Sequence, residues 1–393
     1  MRRMKSTFIN FLTVILAFFS VLFLACPDNT EPEPTTCEYP PGNRTFTWRV
    51  DTVAWWPSFL GGVHAFSNDD AWVMGDMHGP VINGKNTSYM GLHWNGETWN
   101  ETIGFLDILM KPNDVTGDNH FMVAAGYLAY GDNMGGTISK PALAEFDNRT
   151  KKWARYEFEP TGELRSVWTD GKGFFIAVGD NGMVYTKDGY KSEWVYSKAP
   201  TEFHFTNIVG VSKCEMYAIS QLPTITGVIY QQYWKCYNNQ WTKLYDGQDT
   251  TGTPVKLFNT DNSMYDLAVS RCSFNDSLKL YLIGWESFLL ESEGQSLNYS
   301  ITNLSHLGLP LRSIGRTALR INLYSPNDYW IFGTRYNFYH WNGTDFQKIV
   351  MPGLPDDDAH FGDQHRMIKT ATGKIFLPTE VSSQVYVVVQ GTP

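Results

Sequence analysis

The stretch from Ser325 to Gly353, SPNDYWIFGTRYNFYHWNGTDFQKIVMPG, decides the fold, because the chain carries nearly the same pattern once before, from Ser67 to Ile103. Each copy has a polar turn, an apolar run ending in Gly (AWVMG or YWIFG), a His-Trp-Asn-Gly turn and a following aromatic residue. Asn-Gly between apolar runs is typical of tight β-hairpin turns. The two copies therefore predict a hairpin unit that the chain uses more than once.

The apolar run of this unit recurs through the whole chain. Each copy is short, rich in aromatic and β-branched residues and bounded by turn residues, which indicates a strand buried on both faces. One strand upstream and two downstream complete a four-stranded antiparallel blade, so we predict an all-β fold, a seven-bladed β-propeller. The seven runs are residues 71–75, 121–126, 174–179, 216–220, 280–284, 329–333 and 375–379.

The two ends of the repeat region complement each other. The last repeat has three strands (HRMIKT, KIFLPT and QVYVVV), whereas TFTWRVD, which precedes the first repeat, is a strand without a blade. Pairing this N-terminal strand into the last blade closes the ring and removes the open sheet edges. We therefore expect residues 45–393 to form a single propeller domain.

The first 25 residues have the pattern of a signal peptide. Arg2, Arg3 and Lys5 precede a nearly unbroken apolar run that ends at Ala25 and Cys26. A small residue followed by Cys resembles the lipobox of bacterial lipoproteins, which implies lipidation of Cys26. The alternatives are a plain secretory signal and an uncleaved anchor helix, because the run is nearly long enough to span a bilayer.

Residues 26–44 are rich in Pro, Glu and Thr and predict a stiff, solvated tether. The predicted location is therefore the bacterial cell envelope, with the domain held to a membrane by its N-terminal lipid and facing the periplasm or the cell exterior.

The charge balance bears on the partners. The chain has a net charge of -9, and removal of the three basic residues of the signal leaves 28 basic and 40 acidic residues, a net charge of -12. This balance argues against a nucleic acid partner, because phosphate backbones are repelled and no Lys/Arg cluster counteracts the repulsion. We expect a monomer that binds a protein or a glycan.

Four cysteines, Cys37, Cys214, Cys236 and Cys272, remain once Cys26 carries the lipid. In an oxidising compartment they allow three disulfide connectivities. Cys214 and Cys236 flank one predicted hairpin, so their pairing is favoured. A bridge between neighbouring units is the alternative, because VSRC at Cys272 repeats VSKC at Cys214.

The predicted ligand site lies at one mouth of the propeller channel, where the loops after the second strands and the blade connections meet. Several of these loops are long, as binding loops on a rigid scaffold often are. They combine charge with aromatic faces, which suits a glycan or a peptide. The candidate ligand-binding residues are Trp55, Trp56, Asp76, His78, Asp132, Trp285, Arg335 and Tyr336.

The sequence gives weaker evidence for a metal site or a catalytic motif than for a ligand site. The segment DDDAHFGDQH lacks the ordered spacing of a calcium loop and favours a solvated acidic loop. Its weak metal candidates are Asp358, His360, Asp363 and His365. Neither G-x-S-x-G, H-E-x-x-H nor a phosphate-binding loop occurs in the sequence, so we predict no cofactor, no metal and no catalytic residue.

Two repeated features indicate packing rather than binding. His93 and His340 occupy corresponding places in distant blades, so they cannot converge on one ion. The recurring Trp at the start of the outer strand buries a large apolar area and predicts contacts between blades. These residues are Trp99, Trp153, Trp194 and Trp241.

The segment GMVYTKDGYKSEWVY, residues 182–196, resembles the sialidase-type repeat, whose Asp box would here comprise Thr186, Asp188, Gly189 and Trp194. The frame SxxDxWxxG followed by HWNGxxW is similar to repeats of bacterial extracytoplasmic propellers, including photosystem-assembly-factor-like ones. The resemblance implies the propeller fold but not sialidase chemistry. We predict a non-catalytic binding or assembly module. The alternatives are a glycan-acting hydrolase or lyase with carboxylates at the channel mouth, and a purely structural surface lipoprotein.

Overall fold

The computed structural model describes residues 39–79, 88–101, 110–131, 137–223, 229–246, 264–271, 277–284, 287–292, 299–303, 320–332, 338–350, 366–382 and 385–393. These residues form antiparallel strands joined by turns, with a 3-10 turn at Asp180–Gly182. Across these ranges the structure contains no helix with the length and apolar character needed to cross a membrane.

The strands group in fours along the chain, and we call each group a unit. Unit 1 contains β1 (Thr47–Ser67), β2 (Asp70–His78), β3 (Ser88–Trp94) and β4 (Trp99–Glu101). Unit 2 contains β5 (Lys111–Gly117), β6 (Phe121–Gly131), β7 (Thr137–Asp147) and β8 (Lys152–Glu157). Unit 3 contains β9 (Leu164–Thr169), β10 (Phe174–Gly179), β11 (Met183–Asp188) and β12 (Val195–Lys198). Unit 4 contains β13 (His204–Ser212), β14 (Glu215–Pro223), β15 (Ile229–Tyr237) and β16 (Gln240–Asp246).

The later units follow the same order. Unit 5 contains β17 (Met264–Arg271), β18 (Leu278–Gly284), β19 (Ser287–Ser292) and β20 (Tyr299–Asn303). Unit 6 contains β21 (Arg320–Ser325), β22 (Asp328–Phe332), β23 (Phe338–Trp341) and β24 (Phe346–Ile349). Unit 7 contains β25 (Ile368–Lys369), β26 (Ile375–Ser382) and β27 (Val385–Thr392). Units 2 to 6 are separate four-stranded antiparallel sheets.

Strand β1 belongs to two units. Its first half pairs antiparallel with β27, from Thr47 opposite Thr392 to Trp55 opposite Val385. Its second half, from Trp55 to Ser67, pairs with β2 and is the first strand of unit 1. The first half is thus the fourth strand of unit 7, which is the pairing predicted for TFTWRVD. Units 1 and 7 consequently form one seven-stranded sheet.

The core lies between the units. Seven apolar clusters among the described residues each join units that are neighbours in the strand order. Strand β10 shows why the second strands are apolar throughout, because all six of its residues are buried. The recurring tryptophans pack against these clusters, as predicted from their spacing. They are Trp99, Trp153, Trp194 and Trp241.

The Gly that ends the apolar run is required by a close backbone approach. A Cβ atom at Gly126 would lie 2.8 Å from both the Lys111 carbonyl carbon and the Pro112 Cα, and nearer still to the Lys111 oxygen. At Gly179 the equivalent distances, to the Glu163 carbonyl carbon and the Leu164 Cα, are 2.9 Å. Only Gly allows the first and second strands to approach this closely.

Each unit has two ends, which we call the hairpin end and the loop end. The hairpin end carries the turns between strands one and two and between strands three and four. The Thr370 hydroxyl of unit 7 donates to Asn68 Oδ1 of unit 1 over 2.7 Å, so the hairpin ends of these units lie side by side. The loop end carries the connection from strand two to strand three, which follows residues such as His78.

The two His-Trp-Asn-Gly turns lie at the hairpin end. Their glycines, Gly96 and Gly343, have φ values of +98° and +92°, as tight Asn-Gly turns require. The preceding imidazoles contact aspartates of their own units, with 2.9 Å between His93 and Asp70 and 2.8 Å between His340 and Asp328. The two histidines therefore brace separate hairpins.

The predicted disulfide between Cys214 and Cys236 is wrong. Cys236 is a buried free thiol, whereas Cys214 is disulfide-bonded. The register explains the error: Cys236 lies opposite Met216, two residues beyond Cys214. Such diagonal Cα atoms are ~7–8 Å apart, more than a disulfide spans. The hairpin thus brings the two cysteines near each other, but not directly opposite each other as a disulfide would require.

Candidate functional site

Three aromatic side chains are exposed at the loop end of unit 1, and we call them the aromatic patch. The exposed fractions are 36% for Trp55, 67% for Trp56 and 39% for Phe59. They lie where β1 passes from unit 7 to unit 1. Large aromatic side chains usually bury most of their area, so adjacent exposed tryptophans mark a surface suited to binding.

Polar residues predicted from the sequence lie directly beside this patch. The β1–β2 register sets Trp55 opposite His78 and Phe59 opposite Asp76. Nε2 of His78 is 3.9 Å from Asp76 Oδ1, and Nζ of Lys111 is 2.9 Å from Asp76 Oδ2. The hydrogen bond to Asp76 raises the pKa of Lys111. The structure thus brings four candidates together: Trp55, Trp56, Asp76 and His78.

The charged surface continues along the loop end into units 3 and 4. Asp180 accepts a hydrogen bond from Nε of Arg165 over 2.6 Å, and Nδ1 of His204 lies 3.0 Å from the same carboxyl oxygen. Tyr127 interacts electrostatically with the Asp76–Lys111 pair and with Arg165. Its pKa is raised by burial and further by the charge of Glu163. The loop end therefore presents paired acids and bases beside exposed aromatic rings.

The remaining sequence-predicted site residues lie outside the described part of the chain. This holds for the ligand candidates Asp132, Trp285, Arg335 and Tyr336, for the metal candidates Asp358, His360, Asp363 and His365, and for the lipidation site Cys26. Within the ranges that the structure describes, no three His, Cys, Asp or Glu side chains are grouped so as to hold a metal ion.

A second polar feature, which we call the axial ring, lines the inner strands. In units 1 to 6, one residue of the first strand pairs with the second-last residue of the apolar run in the second strand. Examples are Asp114 opposite Ala125 and Asp266 opposite Ile283. This register assigns six residues to the ring, and Arg366 is assigned by its position just before β25. The ring comprises Gly62, Asp114, Ser166, Asn207, Asp266, Arg320 and Arg366.

Three ring side chains, those of Asp114, Ser166 and Asp266, accept a hydrogen bond from a backbone amide of the next unit. Asp114 accepts from the Val167 amide over 3.0 Å, and Asp266 accepts from the Ile321 amide over 2.9 Å. Each carboxylate also accepts from the amide that follows it in its own strand. Burial raises the pKa of Asp266, although neighbouring arginines and these amides favour its ionised form. The acidic ring residues therefore brace first strands against each other.

Arg366 links several ring members. It donates to Asn207 over 2.6 Å and lies 3.4 Å from Asp114, so a unit 7 side chain reaches units 2 and 4. Beside it is a cavity of about 30 Å³, bordered by Arg165 and Arg320 among others, with room for roughly two waters at ~10–15 Å³ each. This space is too small for a sugar ring, so a larger ligand would contact the outer loop end.

Sequence reasoning missed the axial ring, although a signal for it is present. In or just before each first strand, a polar or glycine residue is followed by Val, Ile, Leu or Met, as in NDV at 113–115 and YDL at 265–267. The apolar residue enters a cluster between units, and the preceding residue faces the inner strands. Alignment of the first strands, rather than of the conspicuous second strands, would have found it.

Within the described residues, five antiparallel four-stranded sheets and one seven-stranded sheet pack through apolar clusters. This arrangement defines the class of protein: the chain is a β-propeller. Scans against protein-family models and curated proteins find no match. Among solved structures, it is similar to YCF48 bound to a D1 peptide, with a TM-score of 0.57 and 12% identity over 90% of this chain and 100% of that chain.

A second similar structure is YCF48 from Cyanidioschyzon merolae, with a TM-score of 0.52 and 13% identity over 87% of this chain and 98% of that one. At these identities the likeness concerns the fold. It confirms the propeller part of the predicted resemblance to photosystem-assembly-factor-like repeats, whereas the sialidase-like part stays a prediction.

Proposed function

We propose that this protein is a non-catalytic binding and assembly module of the bacterial cell envelope, which holds a segment of a protein partner at its loop end. The observation that carries the proposal is the aromatic patch beside Asp76, His78 and Lys111. Exposed Trp and Tyr surrounded by polar groups are the usual anchors of protein interfaces. YCF48, which shares the fold, has a structure with a bound D1 peptide, so peptide recognition is compatible with this architecture.

The proposal includes the complete architecture and location. We propose a closed ring of seven blades, supported by the seven apolar clusters and by the pairing of β1 with β27. We further propose that residues 1–25 are removed, that Cys26 carries the lipid and residues 26–44 form the tether, and that the domain, residues 45–393, acts as a monomer. The apolar run before Cys26 supports the lipid, and Cys26→Ser should release the protein from membranes.

Two observations favour binding over the hydrolase or lyase alternative. The buried axial carboxylates, Asp114 and Asp266, direct their oxygens to backbone amides of adjacent strands. At the loop end, Asp76 and Asp180 are engaged by Lys111 and Arg165. Carboxylates held in this way act as structural acceptors rather than as a free acid and base.

The test is selection of peptides from a displayed random library against the full-length protein, followed by titration calorimetry of the selected peptides. Trp56→Ala should weaken binding ~10-fold or more, as expected for an interface anchor worth at least ~1.4 kcal/mol. Val195→Ala is the matched control, because Val195 is similarly exposed, at 60%, but lies on the outer strand β12.

Equal binding by wild type and Trp56→Ala would contradict the proposal. A glycan array run in parallel tests the other ligand class: binding there without peptide binding assigns the patch to a sugar. Glycan turnover by the wild type would establish the enzymatic alternative, and binding of neither ligand class would favour a purely structural surface protein.

A further inference from the structure

The chain enters the domain at the hairpin end of unit 6. The Gly42 amide donates to the Asn327 carbonyl over 3.1 Å, and the Asn327 side chain donates to the Tyr39 carbonyl over 2.7 Å. Arg44 forms an ion pair with Asp345 over 2.8 Å. Asn327 and Asp345 belong to the two turns of this hairpin end, so the segment before β1 lies across both of them.

This segment is fixed closely against unit 6. A Cβ atom at Gly42 would lie 2.6 Å from His340 Nε2 and 2.7 Å from Asp328 Oδ1, so the backbone contacts the buried pair directly. Lys369 of unit 7 donates to the same aspartate. Burial alone would raise the pKa of Asp328, but the hydrogen bonds from His340 and Lys369 outweigh it and lower that pKa. The entry point of the chain is therefore a defined place on the surface.

The aromatic patch lies at the opposite end of the domain. From Thr47, paired with Thr392 near the entry point, β1 runs in extended form to Trp55. Eight residues of extended strand span ~26 Å. The height of the sheet therefore separates the place where the tether leaves the domain from the exposed tryptophans.

Exposed tryptophans at the surface of a membrane-attached protein have two explanations: they enter the bilayer interface, or they bind a partner. Fully extended, the chain from Cys26 to Tyr39, where it first contacts unit 6, reaches at most ~45 Å. For the patch to touch the anchoring membrane, the tether would have to run back along the ~26 Å height of the domain. This would use more than half of its reach and part of its conformational freedom.

We infer that the aromatic patch faces away from the anchoring membrane and receives a protein segment arriving from the aqueous side. The inference rests on the lipid anchor of the proposed function and names the direction of approach. A lipid headgroup of the anchoring membrane, or a partner segment embedded in it, does not meet the patch in this orientation.

Energy transfer to the membrane tests the orientation. The full-length lipidated protein is reconstituted on vesicles containing a rhodamine-labelled phospholipid. A donor dye is attached through azidophenylalanine at Ile138, near the start of β7, or at Thr150, beyond its end, and both positions are exposed. Ile138 is at the loop end and Thr150 at the hairpin end, and both positions leave the aromatic patch intact. Transfer should be stronger from position 150.

Equal transfer from the two positions, or stronger transfer from position 138, would overturn the inference. Co-sedimentation with the vesicles is measured on the same samples and tests the anchor separately. A protein that stays in the supernatant refutes the anchor, and the orientation with it. A protein that sediments with the wrong order of transfer refutes the orientation alone.

Discussion

The closing Gly of the apolar run offers the sharpest test of the packing described above. In Gly126→Ala, the new Cβ would lie 2.8 Å from the Lys111 carbonyl carbon and from the Pro112 Cα, whereas ordinary contacts of a Cβ begin at 3.4 Å. Both neighbours are backbone atoms and the Lys111 oxygen lies nearer still, so β5 must move away from β6 by more than about 0.6 Å. Overpacking that displaces backbone costs ~3 kcal/mol.

The same strand provides a control. Gly131 ends β6, and a Cβ atom there has nothing within 4 Å. Urea unfolding followed by tryptophan fluorescence should shift the midpoint of Gly126→Ala by ~1 M, for an m-value of ~3 kcal/mol/M, and leave that of Gly131→Ala within ~0.2 M of wild type. Urea midpoints of the two variants that differ by less than ~0.2 M would refute the close approach of β5 to Gly126.

Other predictions concern buried groups. Burial lowers the pKa of His64 from 6.5 to about 4. As the pH falls, the unfolded chain therefore binds the proton first, and ~3 kcal/mol of stability should be lost between pH 6.5 and pH 4. Urea midpoints measured across this range should show the loss in the wild type and not in His64→Leu. Lys187→Met should cost ~3–5 kcal/mol because it leaves the buried carboxylate of Glu145, 2.7 Å away, without its cationic partner, and adding Glu145→Gln should restore part of the loss. In thermal melts, Cys214→Ser should cost ~2–5 kcal/mol as the loss of a disulfide, and Cys236→Ala only ~1 kcal/mol; equal losses would contradict the assignment.

The repeated unit was predictable because strand patterns are local. An apolar run such as FFIAVG must be covered on both faces, and β10 is buried at every position. Asn-Gly turns need positive φ, so the hairpin turn at Asn342 and Gly343, which follows His340, was also predictable from the sequence. The pairing of β1 with β27 followed from counting strands at the two ends, which depends on sheet edges rather than on any contact between named residues.

The axial ring and the disulfide depend on register, which the repeat pattern does not contain. A one-residue shift exchanges the residues that face the core with those that do not. Asp114 was unremarkable in sequence because its significance comes from the Val167 amide, more than fifty residues away. Cys214 and Cys236 flank one hairpin, yet a two-residue offset separates them.

The candidate site was partly predictable for a similar reason. Trp55 and Trp56 were recognisable because adjacent tryptophans in a connection are difficult to bury together. Asp76 and His78 were recognisable because they follow a second strand. Lys111 was not, since its role depends on a 2.9 Å contact between two units. Contacts between units need the structure, whereas exposure at a loop end can be read from the pattern.

The double membership of β1 also has a consequence for how the protein is made. Thr47 leaves the ribosome long before its strand partner Thr392. Until that partner arrives, the first half of β1 has an unpaired edge, which can pair with another chain. A chain truncated before β27 cannot cover this edge. Completion of the last sheet thus removes an edge that a prematurely terminated molecule keeps open.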